Sequence, residues 1–77
     1  MGSVEKTMNY NLKRIREETG ISQSQLADQC EMSVRTLQHY EQGNKDINKA
    51  AAETLYRIAK VLNCKIVDLL ELDRIGQ

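Results

Sequence analysis

The chain has no proline, phenylalanine or tryptophan, a single histidine and only two cysteines. Without proline it lacks the strongest helix breaker. Without Phe and Trp its core must come from Leu, Ile, Val, Ala, Met and three Tyr. Plentiful Leu, Ala, Gln, Glu, Lys and Arg then predict an all-α fold. No apolar run approaches the ~20 residues of a membrane span. The opening MGSVEKTMNY has no apolar signal-peptide core. The expected setting is therefore cytoplasmic, with no membrane. An excess of one charge is also missing, because eleven Lys and Arg balance eleven Asp and Glu. Little non-specific affinity for polyanions is expected, since that term scales with the phosphates neutralised.

The missing patterns exclude several chemistries. Cys30 and Cys64 lie far apart with only His39 for company, which is not metal-ligand spacing. They are expected as buried free thiols acting as small hydrophobes, the alternatives being a disulfide or a reactive thiol. There is no paired-carboxylate site, Cys–His dyad or phosphate-binding glycine loop. No enzyme, metal or cofactor is expected. Seventy-seven residues allow one domain, which buries only ~60% of its unfolded surface.

The informative residues are concentrated in 22–43, SQSQLADQCEMSVRTLQHYEQG. Two short helices are predicted there with three residues between them. Ser22 precedes the first, and Gln25 stands at the reciprocal capping-box spacing. Ser33 precedes the second as an N-cap. Leu26, Ala27 and Cys30, then Leu37 and Tyr40, give each helix one inward face. Arg35, Gln38 and His39 occupy the other face of the second. Two helices joined this tightly, the second presenting long polar side chains, suit the major groove of DNA.

Three further helices are expected. One covers residues 10–18, with Leu12 and Ile15 inward, Met8 and Thr19 extending the stripe, and Gly20 as a left-handed stop. Residues 44–48 read as a polar loop in which Asp46 or Asn48 caps the next helix. That helix, over 49–62, carries Ala51, Leu55, Ile58, Ala59 and Leu62 on one face. Asn63 ends it in place of the commoner glycine. A short helix covers 66–72. Flexible tails, 1–7 and 73–77, flank a domain of residues 8–72. Residues 32–60 are mildly basic, with Arg35, Lys45, Lys49, Arg57 and Lys60 against Glu41, Asp46 and Glu53.

Taken together, the order and spacing of several pieces resemble the Cro/C1-type helix-turn-helix domains of phage repressors and related bacterial regulators. The pieces are Leu12-Lys13-Arg14-Ile15-Arg16-Glu17, Ser22-Gln23 with Leu26-Ala27, Met32-Ser33 with Thr36-Leu37, and Tyr40-Glu41-Gln42-Gly43. Leu55, Ile58-Ala59, Leu62 and Leu69-Leu70 come after them. The resemblance covers roughly residues 8–71 and implies a compact five-helix, lambda-repressor-like fold that binds double-stranded DNA. Two departures stand out. Glu31 occupies a position that is usually glycine, and the segment from Glu41 to Ile58 is longer than in many relatives, the surplus falling in residues 44–51.

The resemblance puts base contacts at the start of the second short helix. Arg35 is the leading base reader, able to bond O6 and N7 of guanine; the alternatives are a phosphate contact or a solvated side chain. Val34 either touches a thymine methyl or packs sideways. His39 contacts a base or a phosphate, or is merely exposed, and Gln38 stands between groove and solvent. For Gln23 the resemblance implies a phosphate contact, which a helix start favours. Thr36, Asn44, Lys45, Asn48 and Lys49 are further phosphate candidates, with solvated surface roles as the alternative. Arg16 and Glu41 match a partly buried ion pair that sets the angle of the recognition helix. The expected partner is an operator, an inverted repeat, bound by a weak homodimer through a small patch of Leu70, Leu72 and Ile75. The rival reading is an antitoxin-like or anti-repressor interaction module on the same fold, which the neutral charge supports.

Overall fold

The computed structural model describes residues 10–72. The expected tails 1–7 and 73–77 lie outside the described residues, as do Met8 and Ile75. Among the described residues there are five α-helices and no strand: α1 Tyr10–Thr19, α2 Gln23–Gln29, α3 Val34–Gln42, α4 Ala52–Leu62 and α5 Ile66–Leu69. A 3-10 turn, Ile47–Lys49, precedes α4. The fold is thus all-α, as composition and periodicity predict. Helix α1 packs against α3, α4 and α5, and α2 against α3 and α4. Leu12, Leu26, Leu37, Ile47, Ile58 and Leu69 are fully enclosed where they meet. Burying each such side chain stabilises by about 1.5–3 kcal/mol before entropy is counted. None of the helices described is long and apolar enough to cross a membrane.

Local chemistry starts and stops these helices. The Ser22 hydroxyl accepts from the Gln25 backbone N–H at 3.0 Å while the Gln25 side chain accepts from the Ser22 N–H at 3.0 Å, which is the capping box read from the sequence. Ser33 caps α3 by accepting from the Thr36 N–H. The first four helices all end in the same double bond pattern. In each, the residue two past the helix donates back five positions, as Ile21 does to Arg16, Met32 to Ala27, Asn44 to His39 and Cys64 to Ala59. This ending needs one left-handed residue. The four are Gly20 (φ 84°), Glu31 (φ 60°), Gly43 (φ 85°) and Asn63 (φ 56°). Glutamate is the poorest of them, at a cost of about 1–2 kcal/mol.

The structure corrects the sequence reading between residues 44 and 55. The expected helix over 49–62 begins only at Ala52. Ahead of it Asp46 caps the 3-10 turn through its carboxylate, and Ala50 and Ala51 are extended. Ala51, expected inward, is exposed. Its place in the core is taken by Ile47, which the polar composition of the loop concealed. Thr19 is likewise exposed, its hydroxyl turned back to the Ile15 carbonyl. Helix α5 is also shorter than expected, because the chain turns extended at Leu70.

That extended end is clasped. Asn48 donates to the Glu71 carbonyl at 3.1 Å and accepts from the Glu71 N–H at 2.9 Å. The Glu71 carboxylate in turn accepts from the Asn11 N–H at the start of α1, at 2.8 Å, and the Asn11 side chain donates to the Leu70 carbonyl. The start of α1 and the segment after α5 are thereby tied to the middle of the chain. Cys30 is buried and Cys64 half-buried, both as free thiols. Burial pushes both thiols upward in pKa. Arg57 partly opposes this at Cys30, and Asp68 adds to it at Cys64.

The left-handed turn and the clasp each carry a testable energy. Glu31→Gly relieves the left-handed strain but gives up ~0.4–1 kcal/mol to unfolded-state entropy, so urea melts should find it neutral to mildly stabilising. Gln29→Gly, inside α2, should cost ~1 kcal/mol; equal losses from both would contradict the strain at Glu31. Asn48→Ala leaves two Glu71 backbone groups without partners and should destabilise by ~1–3 kcal/mol in the same melts.

Candidate functional site

The site is built around a carboxylate that α3 carries on its inward side. Glu41 is only 3% exposed and lies beside Leu37 and Tyr40 on the buried face. A charge there is tolerated only if every acceptor is used. Arg16 from α1 meets it side-on, Nε to Oε2 at 2.6 Å and Nη2 to Oε1 at 3.1 Å. Its remaining Nη1 donates to the Ile21 carbonyl between α1 and α2. Gln23, first residue of α2, donates its Nε2 to Oε1 at 2.9 Å. Three helices therefore converge on one carboxylate through charge-assisted bonds, the stronger class of hydrogen bond. The angle of α3 against α1 and α2 is set by this junction.

With Leu37, Tyr40 and Glu41 inward, helical geometry turns Arg35, Gln38, His39 and Gln42 outward together. Arg35 is exposed and has no hydrogen bond or ion pair among the described residues. Gln38 is half-buried and donates to the Gln23 side-chain oxygen at 3.3 Å. The His39 Nδ1 lies 3.2 Å from the Asn44 amide nitrogen. With that amide donating, the neutral ring carries its proton on Nε2, which leaves an outward donor. Val34 is half-buried against the core, so the sideways packing of the two sequence alternatives is present. The Thr36 hydroxyl accepts from the Ser33 hydroxyl at 2.9 Å, which leaves its own proton to donate elsewhere.

The rim is basic and polar. Lys45 is exposed with its ammonium 5.8 Å from the centre of the Tyr40 ring. Asn44 is exposed at the end of α3 and also lies near the Gln42 side chain. Lys49, at the end of the 3-10 turn, is exposed without a partner among the described residues. Asn48 is a correction: its carboxamide is held by Glu71 on both sides and serves the clasp, not the rim. Of the acidic residues in this region, Glu41 is matched by Arg16 and Glu53 by Arg57. The mild basic excess of residues 32–60 thus falls on the outward surface. The bonds joining Gln23, Gln38 and Glu41 are not legible in the sequence, since they span loops and carry no short-range spacing signal.

On another side of the molecule, a groove of about 620 Å³ runs between α1 and α5. Ile15, Leu62 and Leu70 line it, together with the exposed Val67 and Leu72. Of the apolar patch expected at the C-terminal end, Leu72 is exposed, while Leu70 is half-buried against the core and Val67 contributes instead. No group of His, Cys, Asp and Glu among the described residues is arranged to hold a metal.

A helix-turn-helix family model matches residues 12–69 of the chain. No curated protein matches it.

The junction predicts its own energetics. Removing either Arg16 or Glu41 leaves a buried charge uncompensated, so each alanine variant should lose ~3 kcal/mol or more, and the double variant less than the sum. Chemical melts of the three variants test this; small additive losses would place both charges at the surface.

Proposed function

We propose, from the premise that the chain belongs to the Cro/C1-type helix-turn-helix family of DNA-binding regulators, that it is a sequence-specific transcriptional repressor working in the cytoplasm. Helix α3 enters the major groove. Arg35 reads a guanine, with Gln38 and His39 beside it and Val34 offering the part of its side chain that the core leaves open. Gln23, Thr36, Asn44, Lys45 and Lys49 hold phosphates. Gln23 keeps one side-chain N–H for this after bonding Glu41, and Thr36 keeps its hydroxyl proton. The observation that carries the reading is Arg35: a long donor, exposed and unpaired among the described residues, on the outward face of a helix whose inward face is locked.

A single α3 covers too few base pairs to find one site in a genome, so two copies on an inverted repeat are the natural arrangement, with half-sites ~34 Å apart. Val67 and Leu72 beside the α1–α5 groove supply a small apolar contact for the second copy. Such a patch falls short of the ~800 Å² per partner of a standard interface, so the dimer forms on DNA. The rival reading, a protein-interaction module with weak DNA binding, draws on the zero net charge. Salt separates the two: operator binding by phosphate contacts weakens linearly on a log–log plot, by about one power of salt for each phosphate neutralised.

Selection of bound sites from random duplexes should enrich an inverted repeat, and absence of enrichment would favour the interaction module. On the selected site Arg35→Ala should cost ~1–3 kcal/mol and relax the preference at one base pair. Uniform weakening across single-base variants would make Arg35 a phosphate contact instead.

A further inference from the structure

We infer that Gln38 selects adenine, and that Gln23, gripped by the buried Glu41, enforces the choice by fixing which end of the Gln38 carboxamide faces outward. The inference rests on the reading of α3 as the groove-entering helix and names the base that one of its side chains takes. Donor and acceptor polarity is passed along a chain of three side chains. A carboxylate bonded to a guanidinium has acceptors only. The Gln23 side chain therefore turns its amino group to Glu41, at 2.9 Å, and its oxygen away. That oxygen can only accept. The neighbour within reach is Gln38, whose amino group meets it at 3.3 Å. Each step leaves no freedom in the next, so the buried Glu41 dictates the orientation of an amide on the outer face.

With one N–H given to Gln23, the Gln38 carboxamide keeps an acceptor oxygen and one N–H donor side by side. In the major groove adenine presents an N6 amino donor beside an N7 acceptor, the direct complement. Cytosine offers the amino donor alone. Guanine offers two acceptors, N7 and O6, one of which would oppose the glutamine oxygen. An untethered glutamine escapes this by turning its amino group outward to guanine; the bond to Gln23 removes that escape. The tether thus discriminates by exclusion as much as by attraction. Gln23 acts here as a positioning residue and touches no base itself.

Binding to every single-base variant of the selected operator, measured for the wild type, Gln38→Ala and Gln23→Met, tests the inference. Wild type should favour adenine over guanine by ~10-fold or more at one base pair. Gln38→Ala should level the four bases at that position and leave the position read by Arg35 unchanged. Gln23→Met, of similar length without the carboxamide, should bring guanine close to adenine at the same position while Gln38 is still present. Full discrimination retained in Gln23→Met, or no position changed by Gln38→Ala, would overturn the inference and leave the repressor reading standing. Absence of any base preference in the wild type would overturn both. Gln38→Ala removes no bond to Glu41, so it decides the matter even if Gln23→Met melts.

Discussion

Everything on the outer face of α3 depends on how one buried carboxylate is satisfied. Glu41 is too enclosed to be solvated, and no other acidic group among the described residues shares the core with it. Its two oxygens are met by Arg16 and Gln23, and Arg16 reaches on to the Ile21 carbonyl. A hydrophobic residue in its place would pack α3 but would not specify its rotation, because apolar contact is non-directional. A bidentate pair is directional. It brings α1, α2 and α3 into one arrangement and holds Arg35, Gln38 and His39 on a common surface.

The turns work to the same end with less tolerance for substitution. Four helices finish in one hydrogen-bond pattern, and each needs a left-handed residue. Two positions use glycine and one uses asparagine, all at low cost. The fourth, between α2 and α3, uses Glu31. Its carboxylate lies 3.8 Å from the Arg57 guanidinium, but both side chains are largely exposed and such a pair stabilises little. The strain is carried by the surrounding packing, chiefly Leu26, Ala27 and Cys30 on one side and Leu37 on the other.

The longer segment between α3 and α4 resolves into parts with separate roles. Ile47 fills the core, Asp46 caps the 3-10 turn, and Asn48 clasps the C-terminal end by bonding both backbone groups of Glu71. Glu71 returns the connection to the first turn of α1. Lys45 and Lys49 remain on the surface beside α3. A stretch that reads as polar filler therefore stabilises the domain from within and leaves its cations outside.

Sequence by itself determined the helices and their order. Capping residues and apolar spacing are local signals, so Ser22, Gln25, Ser33, Gly20 and Asn63 marked boundaries that the backbone keeps. The left-handed turn at Glu31 was legible for the same reason, since so few residues separate α2 from α3. Arg35 on the outward face came from periodicity alone. Tertiary structure alone decided what crosses between elements. Whether Asn48 meets a phosphate or Glu71, whether Ile47 or Ala51 enters the core, and which way the Gln38 carboxamide turns depend on partners many residues away. Periodicity reports which face of a helix is apolar; it carries no information on which distant donor meets which acceptor. That pairing is set only when the helices have packed and every buried polar group has found its partner.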